Sequence, residues 1–335
     1  MGIHICGAPC CWGVDDISNP HLPTWQRVLR EAHEAGYSAI ELGPNGWIPT
    51  DDIESVTEEL NKNQLSIVAG TIFDDVLSDD NYEKLLHQVD GICQLITKLP
   101  PLPREDGQRW PTPYMTVMDW GHDERDYAAG HSDRAPRLEK EEWDKLVSHF
   151  KGLCERANSY GVRPVLHPHC GGYIEFGDEI DRLAEAIPNE LAGFVLDTGH
   201  LQYAGMDPVV WLRKYKDRLD YVHFKDIDPQ VYDEVMHEHI RFFEGCAKGS
   251  MCPIGQGMID YKAVADVLDE IDYNGYITIE QECDPPCLTA GQLLESGLFA
   301  AAIKGFGRPF LLFFRWIDAK SITVLHEITA FHALL

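Results

Sequence analysis

The sequence predicts an α/β protein that folds as a single-domain (β/α)8 TIM barrel. Eight short apolar runs alternate with segments of helical periodicity along the 335 residues. The connections are long enough for crossovers between parallel strands. The last four apolar runs end in His, Asp or Glu, and the carboxyl ends of barrel strands converge on one mouth. A doubly wound open sheet is the alternative, but it would spread these four strand ends apart.

Each strand is predicted from an apolar run, and each helix from its periodicity and its end signals. Pro23 begins the first helix and Gly36 ends it. Thr50 is predicted to cap the second helix, and Gly161 stops the fourth. The predicted strands cover residues 3–9, 37–42, 65–72, 114–118, 162–166, 194–197, 221–224 and 276–279. The predicted helices cover residues 23–35, 50–61, 82–99, 140–160, 178–187, 208–215, 230–243, 261–271 and 289–303.

Two segments do not fit this repeating pattern. The polar segment 123–137 is longer than ordinary connections between a strand and a helix, and such insertions often act as lids. Residues 305–335 form a tail beyond the barrel domain, which is assigned to residues 1–304. The run 310–314 in this tail is very apolar but too short to cross a bilayer. The tail either packs under the barrel, forms a homo-oligomer contact or is an artefact of the gene model.

The composition narrows the class of protein. The formal net charge of −27 argues against nucleic acids and anionic membranes as partners. The first residues lack a basic segment followed by an apolar core, so no secretory signal is predicted. The ten cysteines are irregularly spaced, with two of them adjacent. Reduced thiols in a cytoplasmic enzyme are therefore expected.

Four strand ends carry side chains that bind divalent metals. Asp197, His223 and Glu280 each follow an apolar run and are predicted to point into the barrel mouth, with His167 as a fourth contributor. An open set of carboxylate and imidazole ligands suits Mn²⁺, Co²⁺, Zn²⁺ or Fe²⁺ and leaves positions for substrate oxygens. The alternative is that these buried groups only hydrogen-bond one another, but four of them on successive strands favour a site.

Three further residues near these strand ends have more than one open role. His200 lies in the loop after the sixth strand and is a metal ligand, a partner of a ligand or a substrate contact, of which we favour the last. His169 follows the fifth strand and has the same alternatives. Lys225 follows the seventh strand and is predicted to face the mouth, the alternatives being a salt bridge with Asp226 or a position in a solvated loop.

Other residues are weaker candidates for contacts with a substrate. Glu41 and Glu175 suit substrate binding or acid–base roles, although each is equally suited to be a cap or an ion-pair partner. Trp12 would supply an aromatic wall for a sugar face. His122 follows the fourth strand and is the weakest candidate among the histidines considered.

Five motifs follow predicted strands at the same end of the barrel. They are His-Pro-His-Cys-Gly-Gly at 167–172, Leu-Asp-Thr-Gly-His at 196–200, His-Phe-Lys-Asp at 223–226, Pro-Ile-Gly-Gln-Gly at 253–257 and Ile-Glu-Gln-Glu-Cys-Asp-Pro at 279–285. Together they resemble motifs of the xylose-isomerase-like superfamily. The most similar branch holds the inosose dehydratases and the sugar phosphate isomerases and epimerases. The resemblance covers roughly residues 1–295 and is specific for the superfamily rather than for a substrate.

The resemblance implies one divalent metal ion, with Mn²⁺ or Co²⁺ favoured and Zn²⁺, Fe²⁺ or Mg²⁺ as alternatives. It implies that Asp197, His223 and Glu280 bind this ion. The family's ligand on the fifth strand is a glutamate, whereas this chain has His167, as dehydratase-like members do. In epimerases two glutamate ligands also transfer protons, so the replacement of one of them argues against epimerisation by two bases.

The resemblance also implies proton abstraction next to the carbonyl of a small keto-cyclitol or keto-sugar. Glu280, His169 and Lys225 are the candidate bases, and a metal ion would act as a Lewis acid. A dehydratase, which is a lyase, is favoured, and a sugar (phosphate) isomerase or epimerase is the alternative. A non-catalytic sugar-binding barrel is a remote alternative. A metal nuclease would need extra histidine ligands and a basic groove, which the negative charge argues against.

Overall fold

A computed structural model describes residues 2–282 of the chain. Strands and helices alternate through the described residues, as the sequence predicts. The strands are β1 (Ile3–Gly7), β2 (Ala39–Ile40), β3 (Ser66–Ile67), β4 (Ala69–Asp74), β5 (Tyr114–Asp119), β6 (Arg163–Leu166), β7 (Gly193–Asp197), β8 (Leu219–Phe224), β9 (Asp226–Ile227), β10 (Met251–Cys252) and β11 (Gly275–Ile279). The helices are α1 (Trp25–Glu34), α2 (Ile53–Lys62), α3 (Asp79–Ile96), α4 (Asp123–Asp126), α5 (Lys140–Ser159), α6 (Gly177–Ala186), α7 (Thr198–Tyr203), α8 (Pro208–Lys214), α9 (Pro229–Glu238), α10 (Phe242–Ala247) and α11 (Tyr261–Glu270).

The parallel strands close into a barrel, which confirms the predicted fold class. They pair in the order β3-β2-β1-β11-β8-β7-β6-β5-β4. The two end strands of this order, β3 and β4, are separated in the chain by Val68 alone. Val68 donates its N–H to the carbonyl oxygen of Ile40 (3.0 Å) and accepts a hydrogen bond from the N–H of Tyr114 (2.9 Å). β3 and β4 are therefore one interrupted barrel strand, and the barrel has eight strand positions.

Alternating side chains divide each barrel strand between two cores. Along β7, Phe194 and Leu196 belong to a large buried cluster that includes residues of the outer helices. Val195 lies between them in the chain and belongs to a smaller cluster with Tyr221 and Tyr276. Successive side chains of a strand point to opposite faces. The smaller cluster therefore fills the barrel interior, and the larger one joins the barrel to its helices.

Several predicted boundaries are wrong because local hydrogen bonds and backbone conformation decide them. Asp52, rather than Thr50, caps α2 by accepting a hydrogen bond from the N–H of Ser55 (3.1 Å). The predicted helix 230–243 is two helices, α9 and α10, because the residue after α9, His239, has a left-handed backbone with a φ of 57° that ends the helix. The loop predicted after β7 is the helix α7, which Asp197 caps with its side chain.

The segment 123–137 is anchored to the barrel rather than free to act as a lid. Arg125, in α4, is fully buried. Its guanidinium donates to both carboxylate oxygens of Glu179 (2.7 and 3.0 Å) and to the carbonyl oxygen of Pro136 (2.8 Å). One arginine therefore joins both ends of the segment to α6.

Some predictions concern residues beyond those described. The helix predicted at 289–303 and the tail at 305–335 lie outside the described residues. Within residues 2–282, no helix combines the length and the apolar character that crossing a membrane requires.

Candidate active site

The strand pattern carries five polar side chains into the barrel mouth. Val195 of β7 belongs to the cluster inside the barrel, and Asp197, two residues later, is the next side chain on the same inward face. The same spacing of two residues relates other interior residues to polar ones: Val165 to His167, Tyr221 to His223, and Ala39 to Glu41. Glu280 likewise lies two inward positions beyond Tyr276. Because side chains alternate along a strand, these polar groups extend the interior core into the mouth.

Four of these side chains form a compact group, which we call the primary cluster. Its ligand atoms all lie within 4.8 Å of one another, and its members are His167, Asp197, His223 and Glu280. The register of the strands contributes to this proximity, because Asp197 of β7 is paired with His223 of β8. The Nδ1 atom of His223 lies 3.2 Å from Glu280 Oε2 and 3.9 Å from Asp197 Oδ2. The structure thus brings together the four residues that the sequence assigns to a metal.

The primary cluster fits a divalent cation because several of its buried atoms lack a hydrogen-bond partner. Among the described residues, His167 Nδ1, Asp197 Oδ2 and both ring nitrogens of His223 make no hydrogen bond of acceptable geometry. The other oxygen of Asp197 is satisfied by the N–H groups of Gly199 (2.7 Å) and His200 (3.1 Å). Unpartnered buried polar atoms are costly, and a metal ion in the cluster would satisfy Asp197 Oδ2 and one ring nitrogen of His223.

The electrostatics of the primary cluster draw positive charge to its centre. Burial raises the pKa of Asp197 to about 7, although Lys225 acts in the opposite direction. Burial alone would lower the pKa of His223, but Glu280 and Glu41 outweigh it and raise this pKa well above its usual value. Burial would raise the pKa of Glu280, but His223 and Lys225 hold it well below its usual range. Such a carboxylate-rich, buried centre is suited to hold a cation.

Glu41 lies against the primary cluster and orients one of its rings. Its Oε1 atom is 2.9 Å from His223 Nε2 and accepts a hydrogen bond from the hydroxyl of Tyr221 (2.8 Å). Carboxylates that contact a ligand histidine fix its ring and raise its basicity. The structure therefore places Glu41 behind His223, as the partner of a candidate ligand.

A second group of potential ligands adjoins the first, and we call it the secondary cluster. Its ligand atoms also lie within 4.8 Å of one another, and its members are His169, His200 and Glu282. His200 lies in α7 rather than in the predicted loop. Glu282 was not assigned a role from the sequence, although its spacing of two residues from Glu280 was a usable signal.

Lys225 lies between the two clusters and is fully buried. Its Nζ atom is 3.2 Å from Glu280 Oε2 and 3.4 Å from Asp197 Oδ2. It also contacts His200 Nε2 at 2.8 Å and forms an ion pair with Glu282. Burial would lower the pKa of Lys225, but the carboxylates, Asp197 first among them, outweigh it and raise this pKa. Three carboxylates, those of Asp197, Glu280 and Glu282, thus surround this amine and favour its charged form.

The alternative ion pair between Lys225 and Asp226 is not formed. Asp226 accepts hydrogen bonds from four backbone N–H groups, those of Ile227 and Ile259 on one oxygen and those of Gly255 and Gly257 on the other. A Cβ atom at Gly257 would lie 2.3 Å from Asp226 Oδ1, so glycine is required for this approach. Asp226 thus holds the loop that carries the Pro-Ile-Gly-Gln-Gly motif.

A backbone hydrogen bond fixes the tautomer of His169. Its Nδ1 donates to the carbonyl oxygen of Cys170 (2.8 Å), which leaves the lone pair on Nε2. Burial lowers the pKa of His169 well below its usual value, and His200 and Lys225 act in the same direction. A neutral imidazole with a defined lone pair has the properties of a general base.

An aromatic group surrounds His169, and the sequence did not assign it. Phe73 stacks on Trp120 with ring centroids 5.4 Å apart, and Trp120 meets Phe243 edge to face at 5.0 Å. The ring of Phe73 lies 4.9 Å from that of His169. These three aromatic residues are half-buried. Here they, rather than Trp12, offer an aromatic surface for the C–H face of a ring.

Three other candidates have partners of their own away from the primary cluster. Trp12 is buried in the outer core and donates its indole N–H to Glu31 (2.9 Å). His122 Nε2 lies 3.0 Å from the carboxylate of Asp119. Their positions favour packing roles over substrate contact.

Glu175 likewise lies in an ion-pair network. It is buried, contacts Arg125 (3.4 Å), and accepts hydrogen bonds from the N–H groups of Gly130 (2.6 Å) and Gly171 (3.0 Å). This is the ion-pair alternative that the sequence left open. Glu175 connects the segment 123–137 to the His-Pro-His-Cys-Gly-Gly loop.

The barrel and its strand-end clusters match a known family. A family model described as a xylose isomerase-like TIM barrel matches residues 29–299. The chain belongs to this family. Among its curated relatives, the inosose dehydratase of Clostridium beijerinckii is 38% identical over 291 residues, which are 83% of this chain and 89% of the relative. The inosose dehydratase of Lacticaseibacillus casei is 29% identical over 293 residues, which are 85% of this chain and 91% of the relative.

Several solved structures share the fold of this chain. The IolI protein, crystallised with a zinc atom, has a TM-score of 0.65 at 14% identity and covers 91% of this chain and 99% of its own. L-ribulose 3-epimerase has a TM-score of 0.61 at 16% identity and covers 97% of this chain and 99% of its own. At these identities the likeness shows the fold alone. The curated relatives are enzymes, so this chain is a member of an enzyme family.

Proposed function

We propose that this protein is a metal-dependent dehydratase that removes water from a keto-cyclitol of the inosose class. The observation that carries this proposal is the primary cluster, a set of nitrogen and carboxylate donors with unpartnered buried atoms at the barrel mouth. The relatives named inosose dehydratase, which match along most of both chains, support the substrate class.

The primary cluster is the proposed metal centre, held by His167, Asp197, His223 and Glu280. Nitrogen and oxygen donors suit a divalent transition metal, and we favour Mn²⁺ or Co²⁺ over Zn²⁺, Fe²⁺ or Mg²⁺. The bound ion would supply Lewis acidity to the ketone of the substrate. Glu41 would keep the His223 ring in place through their 2.9 Å contact.

Among the three candidate bases, His169 fits best. Glu280 belongs to the primary cluster and contacts both His223 and Lys225 at 3.2 Å, so its carboxylate is engaged. The Nζ atom of Lys225 is surrounded by three carboxylates, which favour its charged form, and that form has no lone pair. His169 carries a lone pair on Nε2 because its Nδ1 donates to a backbone carbonyl.

The proposed elimination balances with His169 as the only proton carrier. Its Nε2 takes the proton from the carbon next to the ketone. The C–H electron pair forms a C=C bond between that carbon and the carbonyl carbon, and the C=O π electrons move to the oxygen, which gives an enolate. When the enolate returns to a ketone, the β-carbon loses its hydroxyl group with the C–O electron pair. The His169 imidazolium gives its proton to this hydroxyl, so water leaves and the imidazole ends neutral.

The surroundings of His169 suit a substrate whose ring carries no charge. The aromatic group of Phe73, Trp120 and Phe243 offers C–H contacts on the same side as the proposed base. Lys225 is already engaged by acceptors of its own chain, so it is not available to a phosphate group. Both features favour a neutral keto-cyclitol over a sugar phosphate.

The test is turnover of an inosose by the protein loaded with Mn²⁺ or Co²⁺. We expect an α,β-unsaturated ketone, detected by its ultraviolet absorption, and the loss of one water by mass spectrometry. His169→Gln is expected to lower the rate about 10²- to 10⁴-fold while metal content is unchanged. Asp197→Asn is expected to lose both metal and activity. His237→Gln, which changes an exposed histidine, serves as the matched control.

Other outcomes separate the alternatives. Unchanged turnover in His169→Gln would rule out His169 as the base. Exchange of the substrate proton with deuterium from solvent, without loss of water, would favour the sugar isomerase or epimerase alternative. Binding of the inosose without turnover or exchange would favour a non-catalytic sugar-binding barrel.

A further inference from the structure

The position of Lys225 relates the two ligand clusters to each other. Its ammonium lies 3.2 and 3.4 Å from carboxylate oxygens of the primary cluster. It also lies 2.8 Å from His200 Nε2 and is paired with Glu282, both in the secondary cluster. The Nζ atom of Lys225 therefore contacts potential ligand atoms of both clusters at once.

We propose that the Lys225 ammonium occupies the position of a second metal ion, so that the protein binds one divalent ion and not two. This inference rests on the proposed function, because the first ion is the one assigned to the primary cluster. The secondary cluster would become a second metal site if the ammonium were removed.

The donor chemistry of the secondary cluster supports this inference. Two imidazoles and one carboxylate, from His169, His200 and Glu282, are ligands that divalent transition metals take. Metal ions in two-metal sites lie about 3.5–4 Å apart and share carboxylates between them. The contacts of Lys225 with Asp197 and Glu280 follow this pattern, with the ammonium in place of the second ion.

The charge and size of the lysine head explain why it excludes a metal. The ammonium is a compact, fixed point charge on a long stem, and here it is fully buried. A divalent ion in the secondary cluster would occupy the same space and would be repelled by the same charge.

The experiment measures metal stoichiometry in the folded full-length protein equilibrated with excess Mn²⁺. We expect about one equivalent in the wild type and about two in Lys225→Ala, because alanine removes both the charge and the bulk. Lys225→Met removes the charge but keeps the site filled, so it should bind one equivalent. Lys248→Ala removes an exposed, ion-paired lysine and should also bind one.

A spectroscopic readout separates this role from a merely structural one. Two Mn²⁺ ions in adjacent clusters give an exchange-coupled paramagnetic resonance signal, which a single ion does not. Lys225→Ala should show this coupling. Adding Glu282→Gln to Lys225→Ala should abolish it and return the content to about one equivalent, because the secondary cluster then loses its only carboxylate.

Each outcome decides between the two proposals. Two equivalents in the wild type, or one in folded Lys225→Ala, would overturn the role of Lys225 but leave the primary cluster intact. No metal in any variant would instead overturn the metal part of the proposed function. If Lys225→Ala folds only when Mn²⁺ is supplied, the inference is supported. If it fails to fold even with Mn²⁺ while Lys225→Met folds, the inference is overturned.

Discussion

Asp226→Asn is expected to destabilise the loop 253–259 and to lower the free energy of unfolding by about 3 kcal/mol. One carboxylate oxygen of Asp226 accepts from Gly255 (2.8 Å) and Gly257 (2.9 Å). The other accepts from Ile227 (2.9 Å) and Ile259 (3.2 Å). Asparagine offers one acceptor oxygen, so its amide nitrogen must face two of these donors.

The magnitude follows from the number of hydrogen bonds lost. Hydrogen bonds to a charged group contribute about 1.5–3 kcal/mol each, so two lost bonds cost about 3–6 kcal/mol. The amide nitrogen is expected to face Gly255 and Gly257, where the loop is more exposed than at Ile227 and Ile259. Water can satisfy part of the loss there, which places the net cost near the lower end, at about 3 kcal/mol.

Asp228→Asn is a matched control two residues further along the chain. Asp228 caps α9 and uses a single oxygen to accept from both Gln230 (2.9 Å) and Val231 (3.0 Å). Asparagine keeps that oxygen and is as good an N-cap as aspartate, so the expected cost is below about 0.5 kcal/mol. The same chemical change should therefore have very different effects at these two positions.

Thermal unfolding followed by circular dichroism measures the difference. About 3 kcal/mol corresponds to a decrease in Tm of about 5 to 10 °C in a domain of this size. The Tm of Asp228→Asn should stay within about 2 °C of the wild type. Equal losses in the two variants would refute the reasoning, because the loop would then not depend on both oxygens of Asp226.

Arg125→Met is expected to cost about 3–5 kcal/mol, because it removes the fully buried cation that pairs with the buried carboxylates of Glu175 and Glu179, of which only Glu179 keeps a second cationic partner, Arg137. Arg156→Met, at a partly exposed ion pair, should cost less than about 1 kcal/mol, and similar changes in Tm would contradict this. The second prediction concerns pH. Burial would lower the pKa of His122, but Asp119 outweighs it and raises this pKa above its usual value of 6.5. The folded state then binds more protons than the unfolded state, so this contribution is full below pH 6.5 and is lost as pH rises through the raised pKa. The free energy of unfolding should therefore fall less steeply above pH 6.5 in His122→Asn than in the wild type, and equal slopes in urea titrations would exclude the pairing.

The fold and the primary cluster were within reach of sequence reasoning because local periodicity encodes them. Apolar runs mark the strands, and their alternation fixes which residues face inward. The pairs Val195 and Asp197, and Tyr221 and His223, show this spacing directly. The convergence of strand ends in a parallel barrel then predicts that these side chains meet.

The partners of the other candidates could not be read in the same way. Trp12 was a candidate wall for a sugar face, yet its indole N–H bonds Glu31 in the outer core. Glu175 was a candidate acid or base, yet it contacts Arg125, which lies 50 residues earlier in the chain. Such contacts depend on how an insertion packs on the barrel, which local sequence patterns do not specify.

The sequence by itself determined the barrel, the inward positions and the chemical types of the four candidate ligands, because these depend on a period of two residues within each strand. The tertiary structure decided the partner of Lys225. The neighbouring Asp226 points to the opposite face of the chain and bonds the backbone of the loop 253–259. Glu282, which follows β11, pairs with Lys225 instead. Strand order and register set that pairing, and they are properties of the closed barrel rather than of any single segment.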